Sequence, residues 1–358
     1  MSGRSRSART PATMPVTWAI TAATVWLLAG SGCSPPPYRE DVGDLSGPFA
    51  AYYEGKLALS RAAGVRPGNE ERLVRRSPER TDVAVLYIHG WGATRAEGEA
   101  IFDTIGERLG ANTYYLRLPG HGTDMDDQAA QPFTAYLDCV SAAFLRSRQL
   151  GRRIIVGGTS TGALLATWLA ARYPMDTAAL IIASPLYEFR GASARLLGVP
   201  GVLPLAAALS GGVRDAGWRA GEDVERKLPG FEDHWLTAQR YSALHHLENL
   251  RRYIARAETF ARVSAPALLF YYYRDEEHQD EVVSVAAMRE AFALFGTGAG
   301  RRAPQREVAV ADGNHVLFSA YVRTDKALIL RETMGFLEGL ADVRLDMSGP
   351  STMDKSIH

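Results

Sequence analysis

The sequence predicts an α/β domain: a mostly parallel sheet with helices on both faces and a helical insertion partway along the chain. Three observations point there. The composition is that of a globular protein, with 46% hydrophobic and 22% charged residues in 358. Short, continuous apolar runs such as Val83, Ala84, Val85, Leu86, Tyr87 and Ile88 recur between helical patterns, as expected of strands buried on both faces. That alternation implies crossover connections and a parallel sheet, and it lapses from 187 to 263 before resuming. Other classes are excluded on simple grounds. Forty basic and forty acidic residues leave a formal net charge of zero, so there is no electrostatic footprint for nucleic acid. Two cysteines cannot make a disulfide scaffold or a four-cysteine zinc site. No stretch reaches the ~18 apolar residues of a membrane span.

The first 32 residues read as an export signal. Arg4, Arg6 and Arg9 start the chain, no acidic residue precedes Glu40, and an apolar run follows over 16–30, a length suited to a signal-peptide core. Leu27-Leu28-Ala29-Gly30-Ser31-Gly32-Cys33, followed by Ser34-Pro35-Pro36-Pro37, resembles a bacterial lipoprotein lipobox, with Gly30 where that motif usually carries Leu. The resemblance implies cleavage before Cys33, lipidation of Cys33, and an exported lipoprotein held on a membrane surface without spanning it. The alternative is ordinary secretion with a free Cys33. Residues 33–78 then form a tether and lead-in segment with one amphipathic helical pattern (Phe49, Tyr52, Tyr53, Leu57).

The elements follow in order. A strand is expected over 83–88, a helix around Ile101, Ile105 and Leu109, a strand over 113–116 and a helix over 133–150. Cys139 lies in the last of these, beside Tyr136, Leu137, Val140 and Phe144, and reads as a core cysteine. A strand over 153–157, a helix over 163–173 stopped by Pro174, and a strand over 178–183 come next. The insertion, 187–263, carries short apolar helices punctuated by Pro200, Pro204, Gly211 and Gly212, then a longer helical region from 235 to 260. The rhythm resumes with a strand over 267–273, a helix over 283–295, a strand over 307–310 and a helix over 325–340. The core is thus 79–186 plus 264–342, the cap 187–263, and 343–358 a polar tail.

The chemistry gathers at strand ends. Gly158-Thr159-Ser160-Thr161-Gly162 is a G-x-S-x-G motif. It follows a buried strand and opens a helix, the context of a nucleophile elbow. A serine hydroxyl needs a base. Past residue 280 only His315 and the terminal His358 are available, and His315 sits in a loop ahead of the last helix. The acid is expected after the penultimate strand. Asp275 lies nearer that strand's end, whereas Asp280 begins Asp-x-Val-Val, the pattern that carries the acid in enzymes of this kind. Asp280 is preferred and Asp275 remains the alternative.

Five motifs in order, His89-Gly90-Trp91-Gly92, Leu118-Pro119-Gly120-His121-Gly122, the elbow, Asp280-x-Val-Val and Gly313-Asn314-His315, resemble the α/β-hydrolase superfamily. They lie closest to its monoacylglycerol lipase, lysophospholipase and carboxylesterase group. The resemblance implies an α/β-hydrolase fold with a helical cap. It further implies a Ser160–His315–Asp280 triad and an oxyanion hole from the backbone N–H groups of Trp91 and Thr161. No metal or organic cofactor is called for, and the substrate expected is a small ester or lipid. His89 and His121 read as loop-shaping residues. The Trp91 ring either lines the pocket or packs over the elbow. Leu196, Leu197, Val199, Val202, Leu203, Leu205 and Leu209 read as the cap's own core, with an acyl-chain pocket or membrane-facing lid as the alternative. His245-His246 lacks a further ligand at metal spacing. Peptidase or acyltransferase chemistry on the same fold, and a lipid-binding lipoprotein without turnover, are the competing functions.

Overall fold

The computed structural model describes residues 37–191, 196–199, 201–216, 222–299 and 302–347. Cys33 and residues 1–32, expected as an export signal, lie outside them. In chain order the core begins with α1 (Phe49–Ala62), β1 (Arg72–Val74), β2 (Thr81–Ile88), α2 (Glu99–Arg108) and β3 (Thr113–Leu116). It continues with α3 (Met125–Ala130), α4 (Phe133–Ser147), β4 (Gly151–Thr159), α5 (Thr161–Arg172) and β5 (Thr177–Ala183). The inserted segment holds α6 (Val202–Ser210), β6 (Val213–Asp215), α7 (Glu222–Arg226), α8 (Phe231–His234), β7 (Ala238–Arg240), α9 (Tyr241–Ile254) and α10 (Ala257–Ala261). The core closes with β8 (Ala267–Tyr272), α11 (Val285–Ala293), β9 (Gln305–Val310) and α12 (Lys326–Met347).

Seven strands form one sheet in the order β1-β3-β2-β4-β5-β8-β9. All neighbours are parallel except β1, which pairs antiparallel with β3. Strand alternation sends successive side chains to opposite faces, and both faces are covered. Leu86, Ile88, Val156, Leu180 and Leu269 join one core with residues of α4, α5 and α11. Val85, Tyr87, Ile155, Ile181 and Phe270 join the other with residues of α2 and α12. This two-sided burial is why the strands read as unbroken apolar runs.

The strands and helices expected of the core are present, most within a few residues of their expected ends. Three differences have physical causes. Edge strand β1 is three residues long and carries Arg72, too short to show a period. The region expected as helical over 235–260 also contains β7 ahead of α9 and α10, because β7 pairs with β6 into a small ribbon, and the chain breaks again at Ala255. Helix α12 runs on to Met347, past the boundary placed at 342. Cys139 is half-buried and packs against the core, and burial pushes its thiol pKa up. Among the described residues no helix is long and apolar enough to cross a membrane.

The insertion is stitched to the core at several points. Leu236 N–H donates to Gly92 O at 2.8 Å, Leu228 N–H to Tyr321 O at 2.9 Å, and Arg323 N–H to Arg226 O at 2.8 Å. The apolar cluster of the cap divides. Leu203 is buried in the core, and Leu197 packs partly against it. Leu196, Leu205 and Leu209 are exposed at 50%, 61% and 81%, so the expectation that this cluster is the cap's own core fails for those three. A nine-residue helix has one inward stripe, and Val, Leu or Ala at nearly every position of α6 leaves the outward face apolar too.

Candidate active site

The elbow is built by close approach. Ser160 sits between β4 and α5 with φ 55° and ψ −116°, a conformation that costs a non-glycine residue of order 1–3 kcal/mol. Its backbone is held from both sides: Ser160 N–H donates to Ala183 O at 2.9 Å, and Ser160 O accepts from Leu164 N–H at 3.0 Å. The flanking glycines are sterically required. A Cβ on Gly162 would stand 2.0 Å from Ile88 O, and one on Gly158 2.6 Å from the backbone of Gly162. Strand and helix therefore pass at backbone contact and push Ser160 out at the strand's end.

His315 and Asp280 converge from two other loops. His315 Nδ1 lies 2.9 Å from Asp280 Oδ2 and 3.1 Å from Oδ1. Asp280 is fully buried, and its Oδ1 also accepts the N–H groups of Val282 at 2.9 Å and Val283 at 3.0 Å. The Asp-x-Val-Val spacing thus lets the carboxylate cap its own loop while one edge points at the imidazole. Arg190, from the inserted segment, donates to the carbonyls of Gln279 and Asp280 at 3.0 and 3.1 Å and clamps that loop. Asp275 is engaged elsewhere. It is exposed and accepts His278 N–H, His278 Nδ1–H and Glu277 N–H, bonds that hold its carboxyl below the usual range. The carboxylate at His315 is therefore Asp280.

Ser160 and His315, each 7% exposed, open into one cavity of about 630 Å³. Gly90, Trp91 and Thr161 line it from the core, and Leu197, Trp235, Leu236, Leu244 and Leu247 from the insertion. Thr161 is the first residue of α5, so its N–H has no acceptor four residues back. No hydrogen bond from the Trp91 N–H occurs among the described residues. The Trp91 ring both lines the cavity and packs against His121 and Tyr136, with centroids at 5.4 and 5.6 Å. His89 and His121 lie behind this wall, fully buried. His89 Nδ1 bonds Gly90 O at 2.9 Å and its Nε2 accepts Leu118 N–H at 3.1 Å, which defines a neutral tautomer joining the two loops. Burial pushes the pKa of His89 far down and that of His121 to about 4. No group of three or more metal-ligating side chains occurs among the described residues; His245 and His246 meet edge to face.

One participant has no sequence motif. Glu97, 2% exposed, accepts Gly90 N–H at 2.6 Å and the Tyr87 hydroxyl at 3.1 Å. Tyr87 in turn bonds Thr159 Oγ1 at 3.0 Å, beside Ser160. Burial pushes the Glu97 carboxyl up to about 7, against the opposing pull of Gly90 N–H, His315 and Tyr87. Its folded pKa lies above the unfolded value near 4.5, so its contribution to stability is fully present below pH 4.5 and lost as pH rises through 7. A shift of this size is worth about 3 kcal/mol. In urea titrations the stability difference between wild type and Glu97→Gln is expected to move by up to that amount between pH 4.5 and 8, against wild type at the higher pH. A pH-independent difference would show that Glu97 ionises normally.

A parallel sheet with the elbow at the carboxyl end of β4, and the acid and histidine on the loops after β8 and β9, defines an α/β-hydrolase architecture. The chain belongs to the alpha/beta hydrolase family, whose model matches residues 85–324. Over 92 residues it is 40% identical to a pimeloyl-[acyl-carrier protein] methyl ester esterase of Neisseria meningitidis serogroup A. That match spans 25% of this chain and 26% of the relative. Among solved structures it resembles one reported for LipS and LipT, two metagenome-derived lipolytic enzymes. That likeness has 20% identity, 77% of this chain, 99% of the other and a TM-score of 0.60. It also resembles a soluble variant of monoglyceride lipase from Saccharomyces cerevisiae in complex with a substrate analogue, at 15% identity, 76% and 91% coverage and a TM-score of 0.51. Both likenesses are of fold.

Proposed function

We propose that the protein is a serine hydrolase of carboxylic esters. The observation that carries the reading is the convergence in one cavity of a strained elbow serine and a histidine paired to a buried aspartate. In this reading His315 takes the proton of Ser160 as its Oγ attacks the ester carbonyl. Asp280 holds Nδ1–H and stabilises the imidazolium. The N–H groups of Trp91 and Thr161 meet the oxyanion, a contribution of about 3 kcal/mol per donor. His315 then protonates the leaving alcohol, leaving an acyl-enzyme. Water activated by the same imidazole releases the acid and restores Ser160.

The apolar wall, including Leu186, Phe189, Leu244, Leu247 and Val282, suits an acyl chain, as in a monoacylglycerol- or lysophospholipid-like substrate. The named relatives act on esters, which supports the reading. Initial rates on p-nitrophenyl esters of increasing acyl length, wild type beside Ser160→Ala, test it. The account expects turnover with a length optimum, lost in the variant; no turnover on any ester would move the assignment to peptide or acyl-transfer chemistry.

The N-terminal pattern ending in Cys33 supports a further part of the proposal, an exported protein anchored to a membrane surface through a lipidated Cys33. Expressed in a bacterial host, the full chain should partition into the detergent phase and Cys33→Ser into the aqueous phase. Equal partitioning would remove the anchor.

A further inference from the structure

Outside the triad, the cavity wall carries Arg214. It lies in β6, and antiparallel pairing sets it directly opposite Gln239 of β7. Directly opposed residues point to the same face of a ribbon, and here both line the cavity. The ribbon is fixed to the wall that carries Trp91. Leu236 N–H bonds Gly92 O, and a Cβ on Gly92 would stand 2.6 Å from Gln239 Nε2. Arg214 is therefore held at a set position relative to Ser160.

What distinguishes this arginine is that no hydrogen bond or ion pair reaches its side chain among the described residues. Other enclosed arginines of the described residues are hydrogen-bonded or ion-paired: Arg146, 6% exposed, donates to the carbonyls of Gly47 and Asp44 at 2.9 and 2.7 Å. Arg117 lies 3.6 Å from Glu71, Arg226 2.8 Å from Asp312, and Arg251 2.7 Å from Glu248. Among the described residues Arg214 makes no ion pair, and its Nε is sealed from solvent with no acceptor. Gln239 is 2% exposed and its Oε1 is likewise unmatched. Burial pulls the Arg214 pKa down from its ordinary value, yet a guanidinium remains charged at any working pH. Arg214 is half-buried, and a charge drawn partly out of water gains from a partner that an occupant of the cavity can supply. Of the acids on the cavity wall, Asp215 acts on Arg214 through charge alone, with no hydrogen bond or ion pair between them among the described residues. Asp215 and Glu281 are exposed, and Glu97 is turned to Gly90 and Tyr87.

We propose that the ester taken by this cavity carries an anionic group, a carboxylate or a phosphate, and that Arg214 is the residue that receives it, with Gln239 beside it. The inference rests on the ester-hydrolase reading and deepens it. The substrate has an apolar stretch lying on Leu244 and Leu247 and a charged end, rather than being a neutral glyceride. A guanidinium paired with a carboxylate or phosphate forms charge-assisted, often bidentate hydrogen bonds, which a neutral end cannot supply.

The test compares two near-isosteric esters, p-nitrophenyl pentanoate and mono-p-nitrophenyl glutarate, in wild type, Arg214→Gln and Arg214→Lys. The expected result is a ratio of kcat/KM, glutarate over pentanoate, that falls about 10- to 100-fold in Arg214→Gln, mainly through KM, with partial retention in Arg214→Lys. A parallel pair, lysophosphatidic acid against monoacylglycerol of the same chain, distinguishes a phosphate from a carboxylate. An unchanged ratio for both pairs would overturn the proposal while leaving the hydrolase reading intact. Calorimetric binding of monomethyl glutarate to wild type and Arg214→Gln reads the site without turnover. Weaker binding in the variant is expected even if no ester is cleaved, and equal binding would overturn the role of Arg214.

Discussion

Ser160→Ala is expected to abolish ester hydrolysis, lowering kcat by about 10⁴-fold or more, because the nucleophile and its base act as a unit. Folding should survive. Ser160 carries a strained φ of 55° that alanine tolerates no better, but its backbone contacts to Ala183 and Leu164 do not involve the side chain. The variant should melt within a few degrees of wild type and keep its substrate affinity. Loss of activity without loss of fold separates a nucleophile from a structural serine. A variant with wild-type rates would remove Ser160 from the reaction and the acyl-enzyme with it.

Asp280→Asn is the second large effect, with kcat expected to fall by about 10⁴-fold, the scale known for loss of the carboxylate in such triads. The amide keeps an oxygen for Val282 N–H and Val283 N–H, but it presents His315 with no charge and favours the wrong tautomer. Asp275→Asn is the internal control. Asp275 lies exposed on its own turn with His278, so its replacement should cost well under tenfold. Steady-state kinetics on one ester checks both variants. The reverse ranking would place the acid at Asp275 and require the loop over 275–280 to rearrange in the working enzyme.

What could be read from the sequence depended on whether a feature is local. The sheet strands are apolar on both faces, so β2, β4, β5 and β8 stood out as continuous runs. The elbow could be read because a Cβ at Gly158 or Gly162 would stand 2.0–2.6 Å from backbone atoms, and such demands leave a fixed spacing. The pairing of His315 with Asp280 joins residues 35 positions apart, and only resemblance to known motifs anticipated it. Glu97 and Arg214 left no trace. Glu97 lies in a short 3-10 turn, Arg95–Glu97, and its importance comes from burial against Gly90, which no periodicity reports. Arg214 sits in a three-residue strand whose register with β7 exists only in three dimensions. The cap leucines misled for the same reason. Composition marks Leu196, Leu205 and Leu209 as core-forming, but too few facing elements cover them.

The central claim, that Ser160 is a nucleophile activated by His315 and Asp280, is tested most directly by covalent labelling. A fluorophosphonate probe captures only a serine with raised nucleophilicity, whatever the natural substrate. Intact-mass spectrometry and peptide mapping of the wild-type protein should show one probe adduct per chain, on Ser160, with labelling lost in Ser160→Ala and strongly slowed in Asp280→Asn. An unmodified protein, or an adduct on another residue, would contradict the account.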